Sequence, residues 1–295
     1  MKGYRFKMGR RIALIAASAA LAISPAFVGH ANAATPDSSS AFEGFSISPS
    51  VGDGSLDRIR KKGELVIGTS NDWPYSYLDA KTGAFSGIDA DIIQYAAKML
   101  GIKKVTIQTV PFDGLVPGVL SGRFDMIGDS IHFTPERSKL VAFSFPTYFY
   151  AETLVVKKGS KITAKNIADM KGKSVGSILG TNYTEWIQKT AGVQYKGYKD
   201  AESLVEDVAS GRLDGGIYDL PVVASIIKDH PQWPVEIVKE YQPRAVKVPA
   251  NYSRYIFRQQ DQQLNEAFSR ALEWMQYSGQ LRTVLKNHGL GEEAN

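Results

Sequence analysis

Residues 115–130 read "LVPGVLSGRFDMIGDS", and 89 positions further on residues 204–219 read "LVEDVASGRLDGGIYD". Apolar residues match across the two, Leu115, Val116 and Val119 against Leu204, Val205 and Val208. Each segment then passes through Ser-Gly-Arg-x-Asp into a short run that ends in a polar residue, Ser130 or Asp219. A helix stopped by a left-handed glycine and followed at once by a strand accounts for this order. Gly122 and Gly211 are the expected stops. The five repeated letters are scaffold, one helix-to-strand corner written twice.

Around the first corner, "ELVIGTS" (64–70) and "KVTIQTV" (104–110) have strand length and turn residues at their ends. Between them "GIDADIIQYAAKMLG" (87–101) carries apolar residues at 88, 92, 93, 96, 97 and 100, a helical stripe closed by Gly101. A short helix with Leu56 and Ile59 inward precedes them and stops at Gly63. "FDMIGDS" (124–130) is the strand after the corner. The same grammar restarts beyond residue 170. "KSVGSIL" (173–179), "VQYKGY" (193–198) and "LDGGIYD" (213–219) read as strands, with helices over "TNYTEWIQKTA" (181–191) and "ESLVEDVAS" (202–210). Strand-helix alternation predicts parallel sheets flanked by helices, here in two successive lobes. Ligands of such sheets bind beyond the carboxyl ends of the strands, so Ser130 and Asp219 are expected to face one cleft. Leu264, Phe268, Leu272 and Met275 mark a helix in 261–289, with nothing to say which lobe receives it.

A chain of 295 residues with 43% apolar residues supports two domains with proper cores. Its formal charge of +5 suggests nucleic acid, but the location of the charge argues otherwise. Residues 1–33 hold Lys2, Arg5, Lys7, Arg10 and Arg11 and no acid, and the remainder has 30 basic and 30 acidic residues. The leader has the three parts of a signal peptide: a basic region to Arg11, apolar "IALIAASAALAISPAFV" (12–28), and "ANA" (31–33) before Ala34. The apolar run is short for a membrane anchor and is broken by Pro25. Arg10-Arg11 leaves a twin-arginine route open beside general export. Residues 34–54, rich in Ser, Gly and Pro, read as a flexible tail. Cysteine is absent, which excludes a lipid-anchored cysteine, disulfides and a thiol nucleophile. His132, His230 and His288 show no metal-ligand spacing, and "GKS" (172–174) lacks the upstream glycine of a phosphate loop. Neither metal nor cofactor is expected.

Beyond these features, "GIDADIIQYAAKML" (87–100), "FTPERSK" (133–139) and "VAFSFPTYFYAETLVVKKG" (141–159) resemble motifs of the bacterial extracellular solute-binding proteins, family 3, the polar amino-acid receptors of ABC importers. The resemblance runs over about 55–290. Ala90 departs from it, a larger aliphatic being usual there. It implies an α/β fold of the two-lobe periplasmic binding protein type (type II), with two mainly parallel sheets joined by two crossover strands. Lobe 1 would span 55–151 and 246–291, lobe 2 would span 152–245, and 292–295 would be a tail. The expected protein is a monomeric periplasmic receptor that captures a small polar amino acid or similar zwitterion and delivers it to a membrane permease.

The resemblance assigns Arg137, in Thr-x-x-Arg, to the ligand's carboxylate, which a planar guanidinium grips with two parallel hydrogen bonds. It assigns Asp219 to the ammonium group and Ser130 to a hydroxyl contact. Asp129 and His132 stand where small or hydroxyl residues are usual, facing either the pocket or the lobe interior. Thr181 and Asn182 open a helix whose first turn suits an anion, or they simply cap it, since Asn182 and Glu185 have capping-pair spacing. "NDWPYSYLD" (71–79) supplies Asp72, Trp73 and Tyr75, and Phe112 is a further wall. Rings around a cation would suit a compatible-solute (ectoine or betaine) receptor of the same family, and an opine-type receptor is a further alternative within it. The rival class is a periplasmic cyclohexadienyl or prephenate-type dehydratase on this fold, but Tyr183 stands where those enzymes carry a Glu after Gly-Thr-Asn.

Overall fold

The computed structural model describes Phe45, residues 52–247 and residues 249–291. The expected signal peptide (1–33), most of the tail after it and residues 292–295 lie outside the described residues. In chain order the first half contains α1 (Ser55–Lys62), β1 (Glu64–Thr69), β2 (Tyr77–Leu78), β3 (Phe85–Ser86), α2 (Ile88–Met99) and β4 (Lys104–Thr109). It continues with α3 (Leu115–Leu120), β5 (Met126–Ile131), α4 (Pro135–Ser138) and β6 (Val141–Phe143). The second group is β7 (Glu152–Lys157), β8 (Ser174–Ile178), α5 (Asn182–Gln188), β9 (Gln194–Tyr198), α6 (Ala201–Ser210), β10 (Gly215–Asp219), α7 (Leu220–Asp229) and β11 (Val235–Ile237). The chain ends with β12 (Arg254–Arg258), α8 (Gln262–Tyr277) and α9 (Gln280–Asn287).

These strands form two five-stranded sheets, ordered β4-β1-β5-β12-β6 and β11-β7-β10-β8-β9. In the first, β1 runs parallel to β4 and β5, while β12 is antiparallel to β5 and β6. In the second, β8 runs parallel to β9 and β10, and β7 is antiparallel to β10 and β11. The antiparallel strands are those that adjoin the passages between sheets. The chain passes from β6 to β7, and returns from β11 to β12. The two passages pair with each other where Phe149 bridges Tyr252, and the Ser253 amide donates to the Tyr148 carbonyl at 2.7 Å. Glu152, fully buried at the head of β7, accepts from the backbone amides of Arg244 and, at 3.1 Å, Ala245 on the returning passage. The C-terminal helices pack on the first sheet's helices, α8 against α1 and α2, and α9 against α2. Among the described residues no helix is long and apolar enough to cross a membrane.

Both copies of the corner take the same form. Gly122 and Gly211 end their helices at φ +76° and +81°, and Leu115, Val119, Leu204 and Val208 are fully buried beneath them. The repeated aspartate is the part that ties the corner down. Asp125 accepts the Val66 amide of β1 at 2.9 Å, and Asp214 accepts the Ser174 amide of β8 at 2.9 Å. Each carboxylate thus satisfies an amide of the neighbouring strand, which fixes the new strand in register with it.

Candidate functional site

Beyond the carboxyl ends of β5 and β10 lies a narrow cavity lined by both sheets' loops, with about 310 Å³ of empty space when the open solvent at its mouth is included. The first sheet contributes Asp72, Tyr75, Phe112, Asp129, Ser130, His132 and Arg137, and the second contributes Thr181, Asn182, Tyr183 and Asp219. Tyr150, on the first passage, and Tyr218, on β10, complete the lining. The equivalence of Ser130 and Asp219, read from the repeat, holds in space.

Local geometry sets where each side chain points. After β1 the chain folds back on itself, with Asp72 bridging Ser76 and the Thr69 hydroxyl donating to the Ser76 carbonyl at 2.7 Å. This loop turns Asp72 and Tyr75 toward the cavity. Trp73, between them, does not reach it: it is 36% exposed and packs edge-on against Tyr77 at 6.5 Å. The expectation that Trp73 walls the ligand is therefore corrected by the tightness of the turn. Thr181, rather than Asn182, caps α5, accepting the Thr184 amide at 3.4 Å. Asn182 is left free to line the cavity.

Arg137 lies at the end of a single helical turn capped by Thr134, whose hydroxyl accepts the Arg137 amide at 3.1 Å. Its guanidinium sits 5.6 Å above the Phe112 ring. One terminal nitrogen donates to the His132 carbonyl at 2.9 Å and the other to the Gly180 carbonyl at 2.8 Å, so the side chain joins the two sides of the cavity. Opposite it stand three carboxylates. Asp219 accepts the Tyr183 hydroxyl at 2.6 Å, Asp72 accepts the Tyr218 hydroxyl, and Asp129 accepts the Ser70 amide at 2.7 Å. Asp129 thus combines the two alternatives, lining the cavity while tying back to the loop after β1. Ser130 also lines the cavity, but its hydroxyl is engaged with those of Tyr148 and Ser253.

Burial governs the electrostatics. Desolvation pushes Asp72 up to about 6, with the charge of Asp200 adding and the Tyr218 hydroxyl opposing. Desolvation and then the Asp72 charge push Asp129 well above the usual carboxylate range. Asp219 is also raised by burial, against the hydrogen bond from Tyr183. His132 stacks flat on Tyr150, centroids 4.2 Å apart, and burial holds its pKa down to about 3, so the ring is neutral. Its Nε2 is buried and has no hydrogen-bond partner among the described residues. Buried polar atoms in this condition await a partner. The cavity thus offers one cation and many acceptors.

A closed gap has a narrow tolerance. Gly180 has φ +83°, and a Cβ there would lie 3.0 Å from the Asp113 Cα on the other side of the cleft. Gly180→Ala is expected to weaken ligand binding about tenfold, by resisting closure and straining the backbone together. Calorimetric titration, with thermal unfolding as control, checks this. A loss of affinity beyond the small loss of stability is the expected result.

Two sheets with their strand ends facing across a polar cavity, joined by paired crossover segments, define a bilobal binding protein that encloses its ligand. The chain belongs to the bacterial extracellular solute-binding proteins, family 3, whose model matches residues 65–291. The L-cystine-binding protein TcyJ of Escherichia coli (strain K12) is 30% identical over 186 residues, 63% of this chain and 70% of that protein. An ancestral arginine-binding protein, solved with arginine, superposes with a TM-score of 0.69 at 30% identity, covering 76% of this chain and 97% of that one. The ancestral amino acid-binding protein AncCDT-1, described as a precursor of cyclohexadienyl dehydratase, gives a TM-score of 0.68 at 29% identity, covering 79% and 98%.

Proposed function

We propose that this protein is the periplasmic receptor of an ABC importer for an amino acid whose side chain carries a positive charge. The observation that carries the reading is the charge balance of the cavity, three buried carboxylates against one guanidinium. The ligand carboxylate docks on Arg137 and the α-ammonium on Asp219, within reach of the neutral His132 Nε2. The side-chain cation takes Asp72 and Asp129. With Asp129 keeping its proton, as its burial and the Asp72 charge favour, a ligand with one carboxylate and two cationic groups neutralises the set, which a buried site requires. The arginine bound by the ancestral protein is such a molecule.

L-cystine, the ligand named for TcyJ, carries a second carboxylate. Arg137 is the only charged base in the lining among the described residues, so that carboxylate has no partner. A betaine or ectoine would pair with rings and leave acids unpaired. A dehydratase reading has no acid at residue 183, where the Tyr183 hydroxyl is committed to Asp219. The lobes we assign are 55–151 with 246–291, and 152–245, hinged at the passages beside Glu152. The receptor acts as a monomer, and the permease reads its closed form.

Calorimetric titration of protein refolded free of ligand, with L-arginine, L-lysine, L-citrulline and L-cystine, tests the reading. Losing the side-chain charge but keeping the shape, as citrulline does, is expected to cost about two orders of magnitude, the scale of one buried charge left unpaired. Citrulline or cystine binding tighter than arginine would overturn it.

The carboxylates also predict how the empty receptor behaves. In an open state the carboxylates are hydrated and keep the ordinary aspartate value of about 3.9, whereas burial in the closed cleft lifts Asp72 to about 6. A group raised in the closed state favours closure below the open-state value and loses that contribution as pH rises through the closed-state value. Without ligand, small-angle scattering should therefore show a more compact protein at pH 4.5 than at pH 7.5. A saturating cationic ligand should abolish the difference.

A further inference from the structure

Asp89 lies outside the cavity, in the first turn of α2, and is fully buried. One of its oxygens accepts the hydroxyls of Tyr148 at 3.0 Å and Tyr255 at 2.9 Å, and the other accepts the Ser130 amide at 2.9 Å. Tyr148 belongs to the outgoing passage and Tyr255 to β12, at the end of the returning one. Ser130 is held at φ +38°, a left-handed backbone conformation that a side chain disfavours. Its carbonyl accepts the Tyr150 hydroxyl, and its own hydroxyl meets those of Tyr148 and Ser253.

We infer that Asp89 is a positioning residue for the ligand site, holding Ser130 in its left-handed conformation and fixing both passages to that point. The chain of contacts is continuous. The Asp89 carboxylate sets the Ser130 amide, and the Ser130 carbonyl sets the Tyr150 hydroxyl. Tyr150 is a wall of the cavity and the shelf on which His132 stacks. If the Asp89 bond is lost, residue 130 relaxes to negative φ, its carbonyl swings, and Tyr150 and His132 lose their placement together. Tyr148 is drawn in by the same carboxylate, so the passage that bends on closure is anchored at the residue that shapes the cavity. Burial raises Asp89 to about 6 despite its hydrogen bonds, so the carboxylate is held where it costs free energy. A carboxylate kept at that cost has work that a neutral apolar residue would not do.

This inference rests on the ligand site proposed above, but its first test needs no ligand. In the free protein the Ser130 amide should exchange slowly, and its carbon shifts should report a left-handed residue. Asp89→Asn is expected to lose that protection and shift the carbon resonances of residue 130, while the β1 and β4 amides keep theirs. The second test is a cycle on affinity for L-arginine. Asp89→Asn should weaken binding about tenfold in the Ser130 background and less than about threefold in a Ser130→Gly background, because glycine holds positive φ unaided. Tyr148→Phe, which removes one donor and leaves the carboxylate, provides a variant that folds should Asp89→Asn not. Its Ser130 signals should stay left-handed.

An unchanged Ser130 signature in Asp89→Asn, or an equal affinity loss in both backgrounds, overturns the inference and leaves Asp89 a fold-stabilising residue only. A parent that ignores L-arginine yet shows the expected Ser130 changes sinks the ligand reading and leaves the positioning role supported.

Discussion

Arg137→Ala should reduce affinity for the cognate amino acid by about two to three orders of magnitude, the largest effect of any single change in the cleft. Removing one partner of a buried, hydrogen-bonded charge pair costs about 2–5 kcal/mol, because the other charge is left desolvated and unpaired. Here the loss is compounded. Both terminal nitrogens bridge the two sides of the cavity, to the carbonyls of His132 and Gly180, so the same substitution removes a contact made only on closure. Arg137→Lys should recover little, since one ammonium cannot present the planar fork that engages a carboxylate and both carbonyls. Titration calorimetry decides the matter, and a variant that binds within threefold of the parent would remove the carboxylate clamp from the mechanism.

Much of this site was legible in the sequence because the fold repeats itself. Once "SGRFD" and "SGRLD" are read as one corner, Ser130 and Asp219 fall at equivalent strand ends, and the cleft lies between them. The loop residues Asp72, Tyr75 and Arg137 then followed from the resemblance. What the letters conceal is direction. In Asp72-Trp73-Pro74-Tyr75 the largest ring draws attention, yet the turn closed by Thr69 and Ser76 faces it outward. Thr181 and Asn182 are both good cap residues, and the choice between them rests on one backbone angle, Thr181 being the extended one at ψ 158°.

The tyrosines were hidden for a different reason. Tyr150 and Tyr218 stand beside apolar residues and Tyr183 in a polar helix start, yet all three are buried. Their function lies in the hydroxyls, two of which donate to cavity carboxylates, and no pattern of hydrophobicity reports where a hydroxyl ends. In the letters alone "DLP" (219–221) has the composition of a turn. A proline in the first turn of a helix costs no hydrogen bond, so Pro221 starts α7 rather than breaking it. Asp89 shows the limit most clearly. An acid in the first turn of a helix normally faces solvent and complements the dipole. Only the convergence of three separate segments, β5, the outgoing passage and β12, on this carboxylate makes it a buried anchor.

The glycine two residues ahead of Asp89 should prove the most stability-critical position in the first lobe. Gly87 caps α2 at φ +115°, and a Cβ there would lie 2.3 Å from the Tyr75 carbonyl oxygen and 2.8 Å from that of Pro74. The close approach has a purpose: these two carbonyls accept the amides of Asp89 at 2.8 Å and Ile88 at 3.0 Å, the otherwise orphaned donors at the start of the helix. Backbone caps backbone, with no room for a side chain between. Gly87→Ala therefore combines a backbone angle that alanine avoids with a clash against atoms that cannot rotate away, each about 1–3 kcal/mol. A total of about 4 kcal/mol should lower the unfolding midpoint by roughly 10 °C in a protein of this size. Gly122→Ala is the control. It has a similar need for positive φ, at +76°, but nothing stands within 4 Å of the added carbon, so it should cost only about 1–2 kcal/mol. Denaturant unfolding of both variants separates the two causes, and equal losses would mean that the helix-to-loop contact contributes nothing beyond backbone strain. Because the same loop carries Asp72 and Tyr75 into the cavity, Gly87→Ala should also weaken ligand binding, whereas Gly122→Ala, at a corner remote from the cleft, should leave it alone.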